Sequence, residues 1–228
     1  MSLTDNPAAE LATQWIKRAA FRWPILNNIS RPRYSYNISP AQLSWLCDAI
    51  TATKDGSDGC IVEVGCARGM TTAFLLSHMK DIGDRRPYIC IDTFSGFTPE
   101  DVKFEVSARS KKTTDFYGFS YMDAGIFRNN VLKLGYPNCQ VFAADAASFD
   151  WSIIPKIDVM LLDVDLFLPT KAVLERSKSR WSPDARVMVD DVRPGGVYDG
   201  AHDAYHEFCR AQGLPASVIA GRAGIFKN

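Results

Sequence analysis

The sequence has no C-x-x-C pair, no excess of charge of either sign, and no apolar run near the roughly 18 residues that a membrane span requires. Its six cysteines (Cys47, Cys60, Cys66, Cys90, Cys139, Cys209) are scattered, which speaks against a zinc ribbon or a disulfide framework. Cys60, Cys66 and Cys90 lie in or beside apolar runs, where a thiol behaves as a small hydrophobe, so a reducing cytoplasmic setting is expected. The opening MSLTDNPAAELATQW lacks the apolar core of a signal peptide. A formal net charge of zero gives no global field toward nucleic acid or an acidic membrane, and neither is expected as a partner. The one basic run, Arg109-Ser110-Lys111-Lys112, reads as a solvated loop. His202 and His206 share a helix face, yet HDAYH lacks the glutamate of H-E-x-x-H, which disfavours a zinc protease. No internal repeat or low-complexity segment is visible.

The residues present fit one domain over 1–228, with 46% hydrophobic residues and enough length for a full core. An N-terminal helical segment, 1–50, contains a helix over 8–22 with Leu11, Trp15, Ile16 and Ala19 on one face. Pro24, Pro32 and Pro40 punctuate the irregular connection beyond this helix. A second helix opens with Ser39 as N-cap and Pro40 at its first position. From Cys60 onward strands alternate with helices: CIVEVG, YICIDTF, CQVFAAD, IDVMLLDVD and RVMVDDV are strands, with SVIA and AGIF as closing ones. That alternation predicts an α/β fold, a mostly parallel sheet with helices on both faces. Residues 98–123 are polar and aromatic and too long for a simple connection; they read as a lid or a disordered insertion. Within them Phe116, Tyr117, Phe119 and Tyr121 suit either a loop closing over an apolar acceptor or a short edge strand.

In open α/β sheets ligands bind at the carboxyl ends of the strands, so those ends carry the chemistry. The first strand ends Glu63-Val64-Gly65-Cys66-Ala67-Arg68-Gly69 before a helix. Glycines permit a tight turn and close approach of a ligand, and the helix N-terminus offers free N–H groups. The spacing is not G-x-G-x-x-G, which disfavours a dinucleotide. Glu63, two residues before Gly65, suits a ligand carrying positive charge, such as the amino group of an adenosylmethionine tail. Asp92, at the end of the second strand, is placed to accept ribose hydroxyls, and Asp145 after the third is placed to receive an adenine amino group. Each could instead be a helix cap.

The fourth strand ends Asp163-Val164-Asp165 and the fifth Asp190-Asp191, both after strongly apolar runs. Carboxylates gathered there repel and raise one another's pKa unless a cation neutralises them. Oxygen-only ligands suit Mg²⁺, Mn²⁺ or Ca²⁺. Strand alternation turns Asp190 and Asp191 to opposite faces, so both reach one ion only if the backbone turns at the strand end.

Over Ile61 to Phe208 the chain resembles the metal-dependent macrocin O-methyltransferase family, which methylates sugar hydroxyls on antibiotics. The resemblance rests on IDTFSGF, on LLDVDLFLPTKAVLE and on VDDVRPGGVYDGAHDAYHEF. It implies a Rossmann-like class I methyltransferase fold, S-adenosylmethionine as donor and a divalent cation, usually Mg²⁺. It implies Asp163, Asp190 and Asp191 as metal ligands, with Asp163 also the general base. It matches Arg68 and Gly69 in the glycine turn and brings in Thr93 beside Asp92. The turn departs from the family's more usual Trp-Arg-Gly-Gly pattern. Catechol-type O-methyltransferases fit less well, because Leu166 and Asp191 stand where that family has a lysine and an asparagine. The expected activity is methyl transfer to a small-molecule hydroxyl. A nucleotide-binding oxidoreductase and a non-catalytic cofactor-binding module are the alternatives. The N-terminal helix leaves a homodimer open, and His202 lies near enough to the Asp190–Asp191 loop to meet an acceptor.

Overall fold

The computed structural model describes residues 7–23 and 34–227. The connection through Pro24 and Pro32 lies outside the described residues. The chain forms two compact units, 1–37 and 38–228. The first contains helix α1 (Pro7–Arg22). Helix α2 (Pro40–Ala52), which the sequence grouped with the N-terminal segment, belongs to the second unit. It begins as expected, with Ser39 as N-cap, Pro40 behind it and a reciprocal capping box to Gln42.

The second unit continues β1 (Cys60–Val64), α3 (Met70–Asp81), β2 (Tyr88–Asp92), α4 (Pro99–Arg109), α5 (Ala124–Leu132), β3 (Cys139–Ala143), β4 (Ile157–Leu162), α6 (Phe167–Ser177), β5 (Trp181–Val189), α7 (Gly200–Gln212), β6 (Ser217–Ile219) and β7 (Ala223–Lys227). These strands form one seven-stranded sheet in the order β3-β2-β1-β4-β5-β7-β6. β1 to β5 are parallel, while β7 runs antiparallel to both β5 and β6. The fold class is the expected one. β5 starts earlier than its apolar run suggests, since α6 stops at Ser177 and a 3-10 turn leads directly to Trp181.

Alternate residues of the central strands serve opposite faces. Val62, Val64, Ile91, Met160, Leu162 and Val189 pack toward Val173, Tyr205 and Phe208 of α6 and α7. Ile61, Cys90, Val159, Leu161 and Met188 pack toward Leu46, Leu75 and Phe127 of α2, α3 and α5. Both faces are covered, which explains the unbroken apolar runs of these strands.

The register decides where the chemistry falls. Val64 pairs with Ile91 and Leu162, and Leu162 with Val189, so these strands end level. The ladder extends one residue further through Gly65 N–H to Ile91 O, Asp163 N–H to Val64 O and Asp190 N–H to Leu162 O. Strand order reverses between β1 and β4, the crevice where such sheets bind ligands.

Residues 98–123 are not a disordered insertion. Thr98 caps α4 by accepting from Asp101 N–H, Pro99 opens the helix, and a 3-10 turn follows at Thr113–Phe116. Glu105 is fully buried, accepts from Phe167 N–H at the start of α6 (2.8 Å) and pairs with Arg109, which also reaches Asp199 and Asp203. The polarity of this segment is used to dock it. No helix among the described residues is long and apolar enough to cross a membrane.

Candidate active site

The glycine turn is pressed against β4. Gly65 has φ +83°, and a β-carbon there would stand 1.7 Å from the Asp163 carbonyl oxygen. Gly69, at φ +80°, would place one 2.9 Å from the Phe127 ring. Both positions therefore exclude any side chain without rearrangement. Asp92 holds the turn in place: its Oδ2 accepts from Cys66 N–H (2.7 Å) and Ala67 N–H (2.9 Å), and its Oδ1 from Phe94 N–H (2.7 Å). Oδ1 keeps lone-pair capacity for a further donor such as a ligand hydroxyl. Thr93 turns its hydroxyl to Gly96 O and shapes the loop after β2. Asp145 accepts from Ala147 N–H and Ser148 Oγ, the arrangement of an Asx turn. Arg68 is exposed at the rim.

Glu63 is 1% exposed, and its Oε2 accepts from both Thr72 Oγ1 and Tyr88 OH at 2.6 Å. Strand alternation turns position 63 inward, and the two hydroxyls fasten β1 to α3 and β2. Burial pushes its carboxyl up to about 7, against the lowering pull of those two hydrogen bonds. A folded-state value above the ordinary 4.5 means that Glu63's contribution is full below 4.5 and is lost as pH rises toward and through about 7. The penalty on the charged form is about 3 kcal/mol. Glu63→Gln keeps an acceptor for both hydroxyls without that charge. Urea unfolding between about pH 5 and 8 is expected to show wild-type stability falling with pH and a flatter profile for the variant. Parallel profiles would show that Glu63 does not titrate in this window.

The carboxylates converge. Oxygens of Asp163, Asp165 and Asp191 lie within 4.8 Å of one another. Asp165 and Asp191 both adopt left-handed backbone, φ +64° and +54°. A tight turn, Leu166 N–H to Val164 O, closes around Asp165, and Asp191 swings off the end of β5. Strain of this kind concentrates at functional sites. Burial drives Asp163 and Asp165 well above the usual carboxylate range, reinforced for Asp163 by Asp190, Asp165 and Asp191 and for Asp165 first by Asp191.

Asp190, which the resemblance implies as a ligand, is bonded to Gln42 and Arg222. It is 2% exposed, with Oδ1 accepting from Gln42 Nε2 (2.8 Å) and Arg222 Nε (3.0 Å), and Oδ2 from the same guanidinium (2.7 Å). Arg222 also bonds Asp191 Oδ1 at 2.7 Å. Asp190 still follows the ladder while Asp191 leaves it on left-handed backbone, and that turn lets a single Arg222 nitrogen reach both carboxylates. Asp165 stands with Asp163 and Asp191 in the converging trio.

Four contributors were not singled out from sequence. Gln42 and Arg222 come from distant segments that carry no motif, and Glu105 sits in the segment read as a lid. Tyr198 is the fourth: its phenol is raised by burial and by Asp165 and Asp191, and its ring lies 6.1 Å from Phe97 and 6.4 Å from Phe116. Phe97 also meets Phe119 edge-on, so an aromatic wall stands beside the carboxylates. His202 is held by Asp203 (2.8 Å) and stacks edge-on to His206.

Comparison with known proteins matches residues 27–223 to the family model described as macrocin-O-methyltransferase (TylF). A curated relative from Streptomyces olivaceus, the 8-demethyl-8-(2,3-dimethoxy-alpha-L-rhamnosyl)-tetracenomycin-C 4'-O-methyltransferase, is 28% identical over 77% of this chain and 68% of its own. Among solved structures, the calicheamicin methyltransferase CalS11 superposes with a TM-score of 0.62 at 18% identity, over 99% of this chain and 94% of that one. The O-methyltransferase NovP gives 0.64 at 16% identity, over 82% and 77%. The strand order, the turn at Gly65 and the acidic strand ends agree with what these matches establish: the chain belongs to the macrocin O-methyltransferase family and is an S-adenosylmethionine-dependent O-methyltransferase.

Proposed function

We propose that the enzyme methylates a hydroxyl of a sugar or sugar-bearing natural product, with a divalent cation held by Asp163, Asp165 and Asp191. The observation that carries this reading is the convergence of those three carboxylates on the strand end that Gly65 touches. Three buried or half-buried acidic groups, two of them on left-handed backbone, form an oxygen-only donor set fitted to Mg²⁺ or Mn²⁺. The rhamnosyl acceptor in the name of the Streptomyces olivaceus relative supports a sugar.

Methyl transfer is an in-line displacement: the carbon–sulfur bond of the sulfonium breaks as the carbon–oxygen bond forms, leaving adenosylhomocysteine and a methyl ether. The protein's first task is alignment. The 65–69 turn, fixed by Asp92, cradles the donor. The wall of Phe97, Phe116, Phe119 and Tyr198 offers an apolar face to the acceptor ring. Asp163, in the converging trio, is placed to accept the hydroxyl proton. A divalent cation, when bound, supplies neutralisation of the carboxylates and lowers the pKa of the acceptor hydroxyl.

Transfer from isotopically labelled donor to rhamnosyl and hexosyl glycosides is expected to stop in excess chelator and to return with Mg²⁺. Undiminished turnover in chelator would overturn the cation. Preference for a catechol over every glycoside would overturn the acceptor class.

A further inference from the structure

Helix α6 starts just after Asp165, and its own sequence does not cap it. The N-cap residue is Leu166, which has no side-chain oxygen for the free N–H groups of the first turn. An acceptor arrives instead from another helix: Glu105 of α4 accepts from Phe167 N–H at 2.8 Å through Oε1. The Glu105 side chain is 1% exposed, and its Oε2 lies 2.8 Å from Arg109 Nε. Gly200, the first residue of α7, meets them at this point. A β-carbon there would stand 2.4 Å from Phe167 N and 2.6 Å from Glu105 Oε1. The next residue, Ala201, donates its N–H to Asp165 O at 3.0 Å. The left-handed turn at Asp165 is thus held from outside at two points, its carbonyl by α7 and the helix start that follows it by α4. We propose that Glu105 is a positioning residue for methyl transfer: capping α6 from another helix, it fixes the turn that presents the Asp165 carboxylate, and Arg109 holds it extended for that task. This inference rests on the reading of Asp165 as a member of the cation-holding trio.

Charge and reach play separate parts. Oε1 faces an N–H and Oε2 a guanidinium, so the ionised carboxylate fits, and Arg109 supplies the opposite charge that a buried carboxylate needs. Arg109 in turn bonds Asp199 (2.8 Å) and Asp203 (2.7 Å), while Lys111 bonds Asp199 and Gly196 O. These bonds fasten α4 to the loop that carries Tyr198, whose ring belongs to the aromatic wall. The Phe104 ring stacks on Phe167 at 5.4 Å, and the Arg109 guanidinium lies over the same ring, so the junction is packed as well as bonded. Reach is the part that acts on Asp165. Glu105→Asp keeps the charge but falls one methylene short of Phe167 N–H. Glu105→Gln keeps the reach and gives up the charge.

That pair of substitutions is the test. Mn²⁺ affinity, by paramagnetic resonance, is expected to fall about tenfold or more in Glu105→Asp and to stay within about threefold of wild type in Glu105→Gln. Thermal midpoints are expected in the opposite order, because Glu105→Gln leaves Arg109 facing an uncharged partner. A merely structural role would lower both quantities together, with Glu105→Gln the worse, and that result overturns the assignment. Wild-type Mn²⁺ affinity in Glu105→Asp overturns it as well. Adenosylhomocysteine affinity is expected to hold in both variants, since Asp92 fixes the 65–69 turn; its loss would mark general damage and count against positioning. In the unsubstituted protein, Mg²⁺ is expected to slow hydrogen exchange at Phe167 and across 102–109. Exchange across 102–109 that ignores Mg²⁺ overturns the coupling even if neither variant folds. Should the wild type bind neither cation, the cation reading fails by itself, and the same order of the two variants is then read in kcat for transfer to a rhamnosyl glycoside.

Discussion

Asp163→Asn is expected to fold at least as well as the wild type and to lose methyl transfer by about 10²- to 10⁴-fold, the range for removal of a general base. The stability half follows from crowding. Asp163 is raised by burial and by Asp190, Asp165 and Asp191, so deleting one charge relieves repulsion. The same substitution at Asp165 is expected to be nearly as damaging to activity, since its oxygens belong to the converging trio. Asp190→Asn is expected to divide differently. It leaves the Arg222 guanidinium short of a buried partner, so the thermal midpoint falls and weakened Mn²⁺ binding is secondary. Mn²⁺ affinity by paramagnetic resonance, with thermal midpoints alongside, measures this without a known acceptor. If Asp190→Asn abolishes Mn²⁺ binding while Asp165→Asn leaves it intact, the trio assigned from geometry gives way to the one implied by the resemblance.

Gly65→Ala is expected to cost about 4 kcal/mol or more, or to prevent folding, because two independent penalties coincide. The backbone is left-handed there, and the new β-carbon would fall 1.7 Å from a main-chain oxygen that has no rotamer to escape through. Gly69→Ala is expected to be milder: it keeps the unfavourable φ, but the atom it meets is the edge of the Phe127 ring. Any Gly65→Ala protein that does fold must part the ends of β1 and β4, so adenosylhomocysteine affinity is expected to collapse with stability. Urea unfolding and calorimetry check both; a Gly65→Ala protein within about 1 kcal/mol of wild type would show that the contact with Asp163 is not tight in solution.

Much of the fold was legible because strand physics is local. Apolar runs of five or six residues ending in glycine or aspartate marked β1, β2, β4 and β5, and their ends marked the crevice. Period-two alternation alone would separate Asp190 from Asp191; the left-handed turn at Asp191 brings both carboxylates to one Arg222 nitrogen. The hidden part depends on distance along the chain. Nothing near Gln42 announces that it will meet Asp190, and nothing near Arg222 announces a guanidinium bridging two acidic residues. α4 was missed because its segment read as a polar connection and Arg109 as part of a solvated loop, whereas Glu105 and Arg109 are paired where the helix docks. The burial of Glu63 was equally hidden: its spacing before Gly65 suggests a ligand contact, and only the pleat and its two hydroxyl partners show that it lies in the core.

The left-handed aspartates carry a further consequence. Asp165 and Asp191 hold conformations that glycine adopts freely and that cost an L-residue on the order of 1 kcal/mol, in addition to the crowding of their charges. Replacing Asp165 with glycine would relieve both burdens at once and yield a sturdier protein with an impaired site, whereas Asp191→Gly would also take a buried partner from Arg222. This end of the sheet is thus where selection for thermal robustness and selection for turnover pull in opposite directions. Stabilised variants sought without an activity screen would tend to accumulate changes at Asp165 first.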